Sequence, residues 1–160
     1  MSHPVLGLFP ADMNAAFPAA ADRIRVERAA LGAGAIEALV VSDPSIRDRL
    51  GDDGLRLLLR DTEIYLERVA RAVASGDPGQ LGEWADWVVP VYRRRKVPLD
   101  DLIGLGEATR EVLAGMLQPE ELAAADAAIT AATAVLRWHR RIAGDARRRN
   151  RYLDAIYRGA

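Results

Sequence analysis

The chain carries few side chains able to do chemistry, and one of them stands out. Cysteine is absent, which excludes disulfides, thiolate metal sites, thiol catalysis and thioether attachment of a pigment. The two histidines are His3 and His139, and neither forms a His-x-x-x-His or Glu-x-x-His pair. That argues against a catalytic zinc or a di-iron carboxylate centre. His139 follows Trp138 and falls on an apolar stripe of Ile129, Ala132, Leu136, His139 and Ala143, spaced three or four apart. In an all-helical bundle a lone inward histidine can ligate haem iron through one ring nitrogen. Arg140 and the arginines beyond it would then pair with tetrapyrrole carboxylates, or with acidic residues of a partner protein. His139, Arg140, Trp84 and Trp87 form the candidate cofactor-binding set, for haem or a non-covalent bilin. The alternative is a histidine that is merely hydrogen-bonded in the core or exposed at the bundle end.

Other chemistry finds little support. Ser42, Ser45 and Ser75 sit at turns, where helix capping explains them. The acidic pairs Asp52-Asp53, Asp100-Asp101 and Glu120-Glu121 each stand at an expected helix start, where negative charge complements the dipole. Gly104-Leu105-Gly106 lacks the third glycine, the preceding strand and the lysine of a phosphate cradle. No catalytic residues are assigned, and the chain reads as a non-enzyme. Charge is uneven. Arg137 to Arg158 holds eight arginines and two acids, about +6, against −1 for the whole chain, so the remainder is about −7. Arg147, Arg148, Arg149 and Arg151 could contact phosphates. The pI near 6.1 and the absence of a reading motif speak against nucleic acid.

These residues must be placed by helices. Met1 to Phe17 reads as an apolar arm punctuated by Pro4, Gly7 and Pro10; the remainder, 18–160, reads as a single domain. Pro18 is a favoured first helical residue. The helix it opens weakens at Gly32-Ala33-Gly34 and resumes to Val41, as one kinked helix or two. Ser42-Asp43-Pro44 opens a short helix to Leu50, which Gly51-Asp52-Asp53 ends while capping the next. Leu55, Leu58, Leu59, Thr62, Leu66, Val69 and Val73 give that next helix an amphipathic stripe to Ser75. Asp77-Pro78 starts a helix bearing Trp84 and Trp87, which Pro90 should bend. Leu99 to Leu117 follows, with Gly104, Ala108 and Gly115 on a smooth second face that a neighbouring backbone or a flat cofactor would approach.

Pro119 opens the final helix. With Gly144 absorbed, it would extend to Arg158, roughly 60 Å at 1.5 Å per residue. A bundle of shorter helices cannot cover that length. The expected interface of a homodimer is therefore Trp138, Ile142, Arg147, Arg148, Tyr152, Leu153 and Ile156. No strand signal appears, no apolar run is long enough to cross a bilayer, and Met1-Ser2-His3-Pro4 does not begin a signal peptide. A cytoplasmic location is expected.

Tyr65-Leu66, Ser75-Gly76-Asp77-Pro78, the aromatic pair Trp84 and Trp87, Lys96-Val97-Pro98 and Leu99 to Leu102 together form a pattern of helix punctuation. Over roughly residues 44–117 that pattern resembles the N-terminal domain of RsbR-type co-antagonists of the stressosome. It is also similar to helical modules that precede cobalamin-binding or STAS domains. The resemblance implies an all-α, globin-like, non-haem sensor fold, usually dimeric, whose long last helix passes a signal onward. The expectation is a regulatory domain that dimerises and signals to a partner protein. In this reading a shift of the Trp-bearing helix against the Gly-bearing one is carried by the last helix to the arginine-rich end. The other expectation is a tetrapyrrole-binding protein accessory to haem or bilin metabolism.

Overall fold

A computed structural model of the chain describes residues 16–144. Six helices follow one another: α1 (Pro18–Val26), α2 (Arg28–Ser42), α3 (Ile46–Ser75), α4 (Gly79–Arg94), α5 (Leu99–Ala114) and α6 (Pro119–Ala143). No strand occurs among the described residues, and the chain is an all-α bundle. No described helix is long and apolar enough to cross a membrane. The first fifteen residues of the arm lie outside the described residues. So do the continuation of the last helix beyond Gly144 and the interface candidates Arg147, Arg148, Tyr152, Leu153 and Ile156.

α3 is the central strut. Its stripe of Leu58, Thr62, Leu66, Val69 and Val73 is buried as the spacing predicts. Burying each such aliphatic side chain stabilises the fold by about 1.5–3 kcal/mol. α1 and α2 lie antiparallel along it: Phe17 N donates to Val73 O at 2.8 Å, and Arg25 and Arg28 both reach Glu67. α4 returns antiparallel on the other side. α5 and α6 complete the bundle, and α6 runs in the same direction as α4. One apolar cluster centres on Leu66, Val69, Val73 and Ile129; a second centres on Leu39, Val89, Leu99 and Leu105. Trp84 and Val112 pack against both.

Several boundaries differ from the sequence expectation. The first break falls at Glu27 (φ −89°, ψ 8°), not at Gly32-Ala33-Gly34. Those glycines are helical because they permit contact. A Cβ on Gly32 would meet Glu63 Cγ at 3.4 Å, and one on Gly34 would meet Val112 Cγ1 at 3.3 Å. Gly51 does interrupt the chain, at φ 65° and ψ 177°, so α3 is two helical pieces across a kink. Gly115 is the C-cap of α5, and α5 ends before Leu117. Gly104 is covered by Leu39 of α2, whose Cδ1 would lie 3.0 Å from an added Cβ. α6 stops at Ala143: Gly144 still donates to Arg140 O, but its φ of 72° and ψ of 178° leave the helix.

Acidic residues at two of these helix starts do more than complement the dipole. Glu121 does close a capping box, accepting from Gln118 N at 3.0 Å while also binding Arg23. Those two hydrogen bonds, the one from Arg23 first, hold its carboxyl below the ordinary range. Asp100 and Asp101, in the first turn of α5, also hold arginines of other helices. Asp100 pairs with Arg140 Nε at 2.8 Å. Asp101 is buried, its side chain 1 % exposed, and accepts from Arg49 Nη2 at 2.8 Å and Nε at 3.4 Å. Arg49 also binds Asp43 at 2.6 Å. One guanidinium thus ties the end of α2 and the start of α3 to the start of α5. Replacing Asp101 by Ala leaves that cation partly buried with one anchor gone. The expected loss is about 3 kcal/mol, read as a lower urea midpoint at unchanged slope.

The end of α4 carries a second local constraint. Val97 N donates to Tyr92 O at 3.0 Å, a helix-ending turn that requires a left-handed residue before it. That residue is Lys96, at φ 58°. A side chain there costs about 1 kcal/mol relative to glycine. Lys96→Gly is therefore expected to raise stability by about that amount in chemical denaturation; a loss would show that the lysine side chain is itself anchored.

Candidate functional site

The α3–α4 hairpin builds the principal surface feature. Its turn is fixed locally: Gly76 takes the left-handed conformation (φ 68°, ψ 20°) and Asp77 N donates to Ala72 O at 3.2 Å. Asp77 Oδ1 then accepts from Gly79 N at 3.0 Å, which starts α4. In an antiparallel hairpin, residues equidistant from the turn lie opposite each other. Arg68 and Trp84 are each eight positions from Gly76. With Arg71, Gln80, Glu83 and Trp87 they line an open depression of about 400 Å³ between the helices. Arg71 Nε donates to Glu67 Oε1 at 3.3 Å. Trp84 is half-buried, its ring 5.8 Å from that of Tyr65, whereas Trp87 is 71 % exposed. The depression therefore offers an apolar wall, a free indole face and two guanidinium groups.

Beneath Trp84 the interior is nearly filled. A hollow of about 30 Å³ remains between α3, α4, α5 and α6, walled by Tyr65, Val88, Leu105 and Leu136 among others. That is about the share of one water molecule in the liquid, against the roughly 300 Å³ or more of a small-ligand cavity. Asp61 and Tyr92 give it a polar edge, and Arg95 Nη1 donates to Asp61 Oδ2 at 2.5 Å. Burial, and then the charge of Asp61, push the Tyr92 phenol well above its ordinary value. Burial does the same to Tyr65, only partly offset by Arg110.

The candidate cofactor set is not brought together. Trp84 and Trp87 line the depression, but His139 and Arg140 stand on α6, away from it. His139 Nε2 lies 2.7 Å from Asp86 Oδ1, and its ring meets Trp138 edge-on at 4.9 Å. Arg140 is on Asp100. His139 Nε2 thus has the Asp86 carboxylate as its partner across the α4–α6 contact. Trp138 is half-buried, and Ile142, in the last turn of α6, is 39 % exposed. The sequence reading missed Arg68 and Arg71. The signal was present: two arginines three apart before the Ser-Gly-Asp-Pro turn face two tryptophans three apart after it.

No family model, curated protein or solved structure matches this chain.

The buried phenols predict a pH dependence. A tyrosine held protonated by the fold stabilises it fully below the unfolded value of about ten, and that stability is lost as pH rises past it. In an alkaline absorbance titration, Tyr65 and Tyr92 are expected to ionise late, together with unfolding. Tyr65→Phe and Tyr92→Phe should each remove part of the late amplitude. A single unperturbed tyrosine transition, in protein that stays folded, would contradict the burial of both rings.

Proposed function

We propose that this protein is a non-catalytic regulatory domain that pairs with a second copy through the end of α6 and communicates with a partner protein by helix repacking. The reading agrees with the globin-like, stressosome-type sensor modules that its helix punctuation resembles. The observation that carries it is the course of the α6 stripe. Ala131 and Val135 are buried under α4, and the same stripe continues through half-buried Trp138 to Ile142, level with the last turn of α4, from which Arg93 reaches the carbonyls of His139 and Gly144. Ile142 itself is 39 % exposed there. An apolar stripe that emerges into solvent at the end of its bundle is suited to pairing with an identical one across a two-fold axis.

The packing also supports a route for the signal. α4 packs closely along α6. A Cβ on Gly82 would sit 3.6 Å from Ala131 Cβ and from its carbonyl oxygen. Further along, Arg93 donates to the carbonyls of His139 (3.1 Å) and Gly144 (3.4 Å) at the C-terminal end of α6. A displacement of the Trp-bearing helix is thereby delivered to the residues beside Ile142. This reading uses no cofactor.

Light scattering coupled to size exclusion tests the pairing. The full chain is expected to elute with the mass of a dimer, and Ile142→Glu, with Trp138→Ala beside it, to elute as a folded monomer. A wild-type protein that stays monomeric at high concentration, or variants that remain dimeric, would sink the proposal.

A further inference from the structure

The depression between α3 and α4 belongs to a longer face that the α6 end does not use. Three of the large apolar side chains left in solvent fall on it: Leu57 (45 % exposed), Ile64 (47 %) and Trp87. Their spacing has a pattern. Leu57, Ile64 and Arg71 recur every seven residues along α3, and Gln80, Trp87 and Arg94 recur every seven along α4. Seven residues is close to two helical turns, so each set forms a seam along one side of its helix. α3 and α4 are antiparallel and already in contact. Their two seams therefore open onto one outer groove, where a third helix would find apolar positions at matching intervals. From Leu57 to Arg71 the groove is about 21 Å long at 1.5 Å per residue, longer than a small ligand covers.

The charge on this face is predominantly positive. Arg60 and Arg94 are exposed, Arg68 lines the depression, and no described carboxylate is paired with any of the three. Arg71 is paired with Glu67, which is already engaged by Arg25 and Arg28. Glu83 is the acid among the residues lining the depression. Tryptophan and arginine are also the side chains most often found to carry binding energy at protein interfaces.

We infer that the α3–α4 face is the docking site for an acidic amphipathic helix of a partner protein. Its apolar side chains would lie along Leu57, Ile64 and Trp87, and its carboxylates would face Arg60, Arg68 and Arg94. This deepens the reading of the chain as an interaction domain by giving the partner a chemistry. It concerns a different surface from the dimer, so either can fail alone.

The test uses the full-length protein, isotope-labelled for amide NMR. Three synthetic peptides of equal length serve as probes: an amphipathic helix of Leu and Glu in a heptad pattern, the same helix with Lys for Glu, and a scrambled acidic sequence. The acidic helix is expected to shift the Trp87 indole and the amides around Ile64 and Arg68. Affinity should fall by about tenfold or more in Arg68→Glu and in Trp87→Ala, and fall again as salt rises from about 0.05 to about 0.5 M. Both residues are surface-accessible, so circular dichroism should show both variants folded. Several results would overturn the proposal: no shift on this face with the acidic helix, equal binding of the Lys peptide, or equal binding of the scrambled one. A wild-type dimer that becomes monomeric on Trp87→Ala would also overturn it, by showing that a second copy occupies the face. Loss of peptide binding with the Ile142-dependent dimer intact would leave the pairing through α6 standing.

Discussion

The close approach of α4 and α6 at Gly82 and Ala131 is the constraint on which the arrangement of this molecule depends. Small residues on both helices let the two backbones approach until only a methyl group would fit between them. A side chain longer than a methyl group at either position would push the helices apart. Much else follows from that crossing. It sets Asp86 beside His139 and brings Arg93 to the carbonyl end of α6. Because α4 is drawn onto α6 along one side, its opposite side, with Trp87 and Arg94, is turned outward over α3.

Polar groups then fix what apolar packing leaves adjustable. The two apolar clusters would tolerate small slides of one helix over another, since dispersion and burial are weakly directional. Arg49 removes that freedom at the corner where α2, α3 and α5 meet, by joining Asp43 and the buried Asp101. Arg23 with Glu121, Arg110 with Asp126 and Arg140 with Asp100 act in the same way between other pairs of helices. Exposed pairs of this kind add little stability individually. Their value here is directional: they distinguish one register of the bundle from its neighbours.

Helix content and most boundaries were legible in the sequence, for local reasons. Proline after a turn residue, glycine before one and three-four spacing of aliphatics are statements about a few adjacent residues, and α3 through α6 obey them. The failures were non-local. Gly32 and Gly34 looked like breakers because glycine is a poor helix former, but their role is set by Glu63, Leu59 and Val112, distant in the chain. Asp100 and Asp101 were noticed because they stand at a helix start, and nothing local announced that they also hold Arg140 and Arg49. His139 was singled out for its rarity, and nothing near it in sequence announced Asp86. The depression was half legible: its tryptophans were noticed, and its arginines emerge only when the α3–α4 turn is treated as a fold-back.

The same fold-back bears on the order in which the chain assembles. Arg68 through Trp87 form a hairpin whose facing residues are separated by fewer than twenty positions. Its closure costs little loop entropy, and contacts of such low sequence separation form rapidly. The crossing of Gly82 on Ala131 joins residues forty-nine positions apart, and being parallel it must wait for the whole of α5 to be laid between them. The face bearing the two tryptophans is therefore an early product of folding, and the α4–α6 seam a late one. During synthesis the aromatic surface is complete as soon as α4 has emerged, well before α6 exists to hold it in its final orientation.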